Sequence, residues 1–266
     1  MDIIDMWVNL PYQLYTWQSV QAITDANPFA VAFMFLVLVF GVGMGNELTN
    51  MLLQKKEGKG PITLWQQSYN FGVDTVFVLL FPLWFGVIDF WLWKLYCILN
   101  LLYVLSELIG IKDMVKNERQ RLFGKYYNGG EVPVRGAWIR CIESYALGLL
   151  IAIVVRYVLG DTMGLLLFLS TIMINFGMHS WDLEKSGSRQ GMSWSYIIWN
   201  FAVVICSYLP AGLGFYATVI PELANPGIYL LGLVNFYGVC RTAYIYHKLP
   251  PKPDEINGKK VIAYLR

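Results

Sequence analysis

The sequence predicts an all-α membrane protein with seven transmembrane helices, and three observations support this fold class. Hydrophobic residues make up 56% of the 266 residues and charged residues only 14%, whereas a soluble domain has about 25% charged residues. Apolar stretches approaching the roughly 20 residues that a bilayer-spanning helix needs recur along the chain. Basic residues are concentrated in every second loop between these stretches.

Helix-breaking residues separate the apolar stretches from one another. Gly60 and Pro61 precede the second stretch, Pro82 follows it, and Pro210 ends the sixth. Glycine and proline are the strongest local signals for the end of a helix. The predicted spans are residues 28–46, 63–81, 87–109, 138–159, 162–183, 192–209 and 227–246.

The basic residues predict the orientation of the chain, because cytoplasmic loops carry an excess of Lys and Arg. The first, third and fifth loops and the C-terminal segment are basic, whereas the N-terminal segment and the other loops contain no Lys or Arg. We therefore expect an extracytoplasmic or lumenal N-terminus and a cytoplasmic C-terminus. The predicted domains are an extracytoplasmic interfacial segment (1–27), a transmembrane domain (28–246) and a cytoplasmic basic tail (247–266).

The N-terminal segment is rich in aromatic residues, including Trp7, Tyr12, Tyr15 and Trp17. Trp and Tyr collect at the lipid–water interface, which is the basis for an interfacial segment here. A cleaved signal peptide begins with a basic region. Because residues 1–27 contain no Lys or Arg, we expect this segment to be retained.

An internal repeat is indicated by the second and sixth spans with their preceding loops. These read KKEGKGPITLWQQSYNFGVDTVFVLLFP and EKSGSRQGMSWSYIIWNFAVVICSYLP. The alignment pairs Asn70 with Asn200 and predicts two parallel three-helix repeats joined by a linker helix, a 3+1+3 arrangement. The same alignment pairs Asp74 with Val204, so an acid at this position is not required by the repeat itself.

Asp74 lies inside the second predicted span, where a carboxylate costs on the order of 3 kcal/mol on insertion scales. Asn70 is one helical turn away on the same face of the helix. Ionisable residues within spans mark functional sites by default, so we predict a functional Asp74. The alternative is a structural aspartate that pairs with a neighbouring helix, for example at Lys94.

Other polar and aromatic residues near mid-membrane are candidates for a cavity wall. Spans two, three, six and seven are expected to enclose it, with substrate-binding residues Tyr69, Trp199, Asn200, Asn235 and Tyr237. Hydrogen bonding between helices is the alternative role for the asparagines. The chain has no metal-binding or phosphate-loop motif, so no metal and no cofactor are predicted.

Two blocks resemble the integral-membrane terpene cyclases of fungal meroterpenoid pathways and their bacterial relatives. GKGPITLWQQSYNFGVDTVF is similar to that family's RGxxxLxxxxNFxWExxY, and SGSRQGMSWSYIIWNF is similar to its RGSSRGxSxxxWxxRF. The resemblance places Asn70 at the family's asparagine and Asp74 at its catalytic glutamate. It covers about a quarter of the chain, and the size and predicted span count also agree.

The resemblance implies a cyclisation that begins with protonation of a prenyl alkene or epoxide by Asp74, with Asn70 orienting the acid. The partners would be a lipophilic prenylated small molecule and membrane lipid, and no nucleic acid. The family also has an acid on its last span, which this chain lacks. The second acid would then be Asp89 or Glu107, although Asp89 also fits a solvated helix start and Glu107 an ion pair with Arg140.

A small-molecule transporter is the alternative function, since parallel three-helix repeats also occur in facilitators. In that case Asn70 and Asn200 would be equivalent substrate ligands at the repeat interface, and Asp74 would select or couple a cation. A subunit that anchors a cofactor or assembles a larger complex is a third possibility.

Overall fold

The computed structural model describes Leu10 and residues 12–266; features predicted around Trp7 lie outside the described residues. The described chain is a bundle of helices, which confirms the all-α class. We number the helices α1 Trp17–Ala26, α2 Pro28–Glu57, α3 Leu64–Leu79, α4 Phe81–Gly86, α5 Trp91–Asn117, α6 Arg119–Phe123, α7 Val134–Leu159, α8 Leu165–Ser186, α9 Trp194–Tyr208, α10 Phe215–Val219 and α11 Pro226–Lys248.

Five helical segments of the described chain are long and apolar enough to cross a membrane. They are α2, the run Leu64–Gly86 formed by α3 and α4, α5, α7 and α11. The predicted fifth span is the 22-residue helix α8, and the predicted sixth is α9 with 15 residues. A 15-residue helix is about 22 Å long, which is shorter than the roughly 30 Å hydrocarbon core.

Several helices extend beyond the apolar stretches that predicted them. The first span was expected to end at residue 46, but α2 runs on to Glu57 and stops at Gly58, whose φ of 72° is left-handed. Its centre, Leu36–Gly43, is π-helical, a distortion that is frequent at functional sites. The third span was expected to end at residue 109, but α5 continues to Asn117.

Helices α3 and α7 approach each other closely along one face. A Cβ atom placed on Gly72 would lie 2.4 Å from the carbonyl oxygen of Gly148, and one on Gly148 would lie 2.0 Å from that of Ser68. Small residues allow the backbones of membrane helices to approach this closely. Ser68 and Ser144 share a 2.8 Å hydrogen bond beside the contact, so α3 is held firmly against α7.

The basic loops and the C-terminal segment meet at one end of the bundle. Lys259 Nζ donates to the carbonyl of Lys55 at 3.0 Å, and Arg189 Nη2 donates to that of His247 at 2.9 Å. The predicted tail is folded, with a two-stranded hairpin of β1 Glu255–Ile256 and β2 Lys259–Lys260. We call this end the basic face.

The opposite end is closed by a buried hydrogen-bond network. Tyr15 Oη donates to Asp161 Oδ1 at 2.5 Å, and Arg156 Nε donates to the carbonyl of Asp161 at 3.0 Å. Thr162 Oγ1 donates to the carbonyl of Tyr15 at 3.0 Å. These bonds fix the segment before α1 onto the loop between α7 and α8.

Candidate functional site

A cavity of about 180 Å³ lies between α2, α3, α5, α8 and α10, with one residue contributed by α9. Three carboxylates line it: Glu47 from α2, Asp74 from α3 and Glu107 from α5. Each is ten residues from the end of its helix on the basic face, which is about 15 Å along the axis. The helix lengths therefore bring the three acids to one level inside the bundle.

Amide side chains surround the acids. Asn46, Asn70 and Asn175 line the same cavity, and Asn175 Nδ2 donates to Asn70 Oδ1 at 3.2 Å. The expected bond from Asn70 to Asp74 is not formed, since within the described residues no hydrogen bond reaches the Asp74 carboxylate. Asp74 is thus left open to whatever occupies the cavity.

The rest of the wall is largely aromatic. Phe35 packs edge-on against Trp93 at 4.9 Å and against Tyr96 at 5.2 Å between ring centroids. Phe215 lies 5.8 Å from Phe35 in a similar arrangement. Edge-to-face contacts of this kind fix ring orientation. The aromatic residues of the wall are Phe35, Trp93, Tyr96, Tyr103, Phe168, Phe176, Phe215 and Tyr216.

A polar cleft connects the acids with the basic face. Glu47 and Glu107 line this cleft as well as the cavity, and Lys55, Asp113 and Lys116 line its outer part. Glu47 and Glu107 therefore stand between a polar opening and the aromatic chamber, with Asp74 on the chamber side. This order suits the passage of a proton or a cation between the basic face and Asp74.

The chemistry of the cavity follows from its charges. No Lys or Arg is among the described residues that line it. Carboxylates that share a poorly solvated site repel one another and do not all ionise unless a cation joins them. The cavity is therefore suited to holding acidic protons, or to binding a cation, at the level of Asp74.

Two of the predicted acids and the predicted amide are together in the cavity: Asp74, Glu107 and Asn70. Asp89 is elsewhere. Its side chain is fully exposed, 3.7 Å from Lys94 Nζ, because it lies in the turn before α5 rather than within the bundle. Lys94 consequently pairs with Asp89, and the alternative of an Asp74–Lys94 ion pair is wrong.

The alternative of an ion pair between Glu107 and Arg140 is also wrong. Arg140 stacks on Tyr126 at 4.3 Å and forms no ion pair with Glu107.

The five residues predicted to bind substrate do not line the cavity. Tyr69 Oη bonds to Ser170 Oγ at 2.7 Å, and Asn235 Nδ2 donates to Tyr208 Oη at 3.0 Å. Trp199 Nε1 donates to Tyr264 Oη at 2.9 Å. Asn235 and Tyr237 belong to α11, which packs on α8 and α9 outside the cavity.

Asn200 and Tyr237 show why the predicted wall was misplaced. Asn200 accepts a 2.5 Å bond from Asn46 Nδ2, so it supports a residue of the wall without reaching the cavity. Tyr237 is 68% exposed and points out of the bundle. Interhelical hydrogen bonding, the alternative considered for the asparagines, therefore describes Asn200 and Asn235.

Glu47 was missed because the first span was predicted to end one residue before it. The signal that identifies it is the absence of Gly and Pro between Asn46 and Gly58, which lets the helix continue through a polar segment. Comparison with protein-family models, curated proteins and solved structures found no match. The function must therefore be inferred from the cavity and the two sequence motifs.

Proposed function

We propose that the protein is a membrane terpene cyclase. Asp74 protonates an alkene or epoxide of a lipophilic prenylated substrate, and the carbocation closes rings against the aromatic wall. One observation carries this proposal: three carboxylates without a basic partner among the described residues share a cavity with a wall of aromatic rings. This combination supplies both the acid and the surroundings that such a reaction needs.

Proton transfer leaves the Asp74 carboxylate and a substrate cation, and ring closure moves the positive charge along the chain. The final cation then loses a proton to a carboxylate of the cavity, which restores the number of protons that the protein held at the start. Glu107 and Glu47 both line the cavity and the polar cleft, and we assign this second role to Glu107, the acid that the sequence also predicts. The reaction is an isomerisation and requires no further reactant.

The aromatic wall would protect and guide the cation. The faces of Trp, Tyr and Phe rings attract positive charge, and a bound substrate that displaces water from the chamber would limit quenching of a reactive intermediate. The edge-to-face packing of Phe35 against Trp93 and Tyr96 would hold the rings in place while the charge moves. The shape of the chamber would then select the ring pattern.

The proposal includes seven spans, with the N-terminus extracytoplasmic and the C-terminus cytoplasmic. It is supported by the bonds that join the first and fifth loops to the C-terminal segment on the basic face and by the third-loop residues that line clefts there with them. Tyr15 and Asp161 lie at the other end. In this topology α8 and α9 also cross the membrane. Because α9 is short, the segment that carries α10 completes the crossing that α9 begins. The 3+1+3 repeat remains a prediction.

A cation transporter is the second candidate, and the three carboxylates beside a polar cleft favour it. From the sequence alone, a transporter is expected to use Asn70 and Asn200 as equivalent substrate ligands. Asn200 is 1% exposed and bonded to Asn46, so the two asparagines do not face one site. A transporter would instead use Glu47, Asp74 and Glu107.

The test is product formation from prenylated and epoxyprenylated precursors in membranes that contain the protein. We expect Asp74→Asn to lower cyclisation by about 10²–10⁴-fold, the usual contribution of a general acid, and Asp74→Glu to retain part of the activity. Asp89→Asn is the matched control, because it removes an equivalent charge from an exposed site. Wild-type cyclisation by Asp74→Asn contradicts the acid role, and carboxylate-dependent solute flux without cyclisation favours the transporter.

A further inference from the structure

A second cleft, of about 510 Å³, opens on the basic face. It lies between the loop before α3, the end of α6 and the turn after it, and the α8–α9 connection. Four cationic side chains line it: Lys59 from the loop before α3, Arg121 from α6, Lys125 from the turn after α6 and Lys185 from the last turn of α8. Asp182 is the single carboxylate among its described lining residues, so the cleft has a clear excess of positive charge.

Most of these cations have no partner in the part of the chain that the structure describes. Arg121 is paired with Glu118, whereas no hydrogen bond or ion pair is found for Lys59, Lys125 or Lys185. Burial, together with the nearby Arg121, lowers the pKa of Lys59. Gathering unpaired cations in a half-enclosed cleft is unfavourable unless an anion joins them.

His179 provides a second, independent sign of a ligand. It lines the cleft although it is only 1% exposed. Its Nδ1 lies 3.5 Å from Asn200 Nδ2, at the outer limit of a hydrogen bond. Nε2 has no hydrogen-bond partner among the described residues, so this buried imidazole at the wall of the cleft has an unused polar atom.

We propose that this cleft binds a phosphate-bearing anion. Lysine ammonium and arginine guanidinium groups are suitable donors for phosphate oxygens, and the unpartnered imidazole of His179 could supply one more. Basic pockets at the cytoplasmic ends of membrane helices bind anionic lipid head groups. The same chemistry accepts a free phosphate from the aqueous phase. This site is separate from the acidic cavity and does not depend on the reaction proposed there.

The test uses the full chain purified in a neutral detergent and two probes. The first compares retention of phosphatidylglycerol with that of phosphatidylcholine of the same acyl chains by native mass spectrometry. The second is calorimetric titration with inorganic phosphate. Selective retention of phosphatidylglycerol identifies a lipid head group as the source, and binding of inorganic phosphate alone identifies a soluble one.

The double variant Lys59→Gln, Lys125→Gln should weaken binding of whichever probe the wild type binds by at least tenfold. The reason is that loss of one charge-assisted hydrogen bond is expected to weaken binding about tenfold. Lys112→Gln, Lys260→Gln is the matched control. It removes two exposed charges outside the cleft and should change binding less than twofold. If the first double variant does not fold, Lys125→Gln alone, at an exposed position, replaces it.

Two results would overturn the proposal. One is equal loss in the cleft variant and the control, which would show attraction to the whole basic face rather than to a site. The other is a wild-type protein that binds neither probe above the phosphatidylcholine or chloride background.

Discussion

Glu57 and Lys252 form a buried ion pair, 2.5 Å apart, with side chains only 1% and 2% exposed. Glu57 is the last residue of α2, and its second carboxylate oxygen accepts a 2.8 Å bond from the backbone N–H of Gly191. Lys252 Nζ also donates to the carbonyl of Leu265 at 2.6 Å. One carboxylate thus joins the first loop, the fifth loop and the C-terminal segment on the basic face.

Replacing Glu57 by Gln should destabilise the protein by about 3–5 kcal/mol, because it leaves a buried cation without its partner. The measurement is the unfolding transition of the detergent-purified protein. Asp254→Asn is the control: it breaks the exposed Arg266–Asp254 pair and should cost about 0–1 kcal/mol. Similar losses in both variants would contradict the special role of the buried pair.

The free energy of unfolding of the Glu57→Gln variant should also depend on pH in a defined direction. Burial lowers the pKa of Lys252, and Glu57 opposes this effect in the wild type. Without Glu57 the folded-state pKa falls further below the usual lysine value of about 10.4. Between the folded and unfolded pKa the unfolded chain binds more protons, so stability rises with pH. The deficit of the variant should therefore shrink as pH increases, and a deficit that grows would contradict this account.

The α3–α7 contact predicts a severe effect of a single methyl group. In Gly148→Ala the new Cβ would lie 2.0 Å from the Ser68 carbonyl oxygen, and backbone cannot move aside as a flexible side chain can. We expect a loss of about 1–3 kcal/mol or more in detergent unfolding. Gly86→Ala, where nothing lies within 4 Å, should stay within about 0.5 kcal/mol. Equal stability of the two variants would show that the helices separate freely.

Glu107 should matter for turnover if it is the second acid of the proposed cyclase. Glu107→Gln keeps the shape of the side chain but removes its proton-accepting charge, and we expect product formation to fall by about 10²-fold. Glu143→Gln, at an exposed position on α7, is the matched control and should retain activity. Full activity of Glu107→Gln with an inactive Asp74→Asn would restrict the acid–base role to the other carboxylates.

The seven-span topology predicts which loops share a side of the membrane. A reporter inserted at Gly129, between α6 and α7, should be on the same side as the C-terminus. One inserted at Gly212, after α9, should be on the opposite side. Both positions are exposed, so insertion should be tolerated. Finding Gly212 on the C-terminal side would mean that the 15-residue α9 does not cross.

The sequence by itself determined the all-α class and the apolar character of the five helices that are long enough to cross a membrane. It also singled out Asp74, Asn70 and Glu107, which line one cavity in the structure. Apolar stretches and a carboxylate within one of them are visible in the chain because insertion into lipid depends mainly on local composition. The basic loops were equally clear, and the structure brings them to one face. A pattern of this kind needs no knowledge of which helices are neighbours.

Only the tertiary structure decided which polar residues meet. Glu47 joined Asp74 and Glu107 because α2 continues as a helix through a polar segment, and helix continuation depends on hydrogen bonding and packing rather than on hydropathy. Tyr237 faces outwards and Asn200 is bonded to Asn46 because the rotation of each helix is set by its contacts, such as that of Gly238 in α11 with Gly177 in α8. Those contacts join residues far apart in the chain, and no local pattern records them.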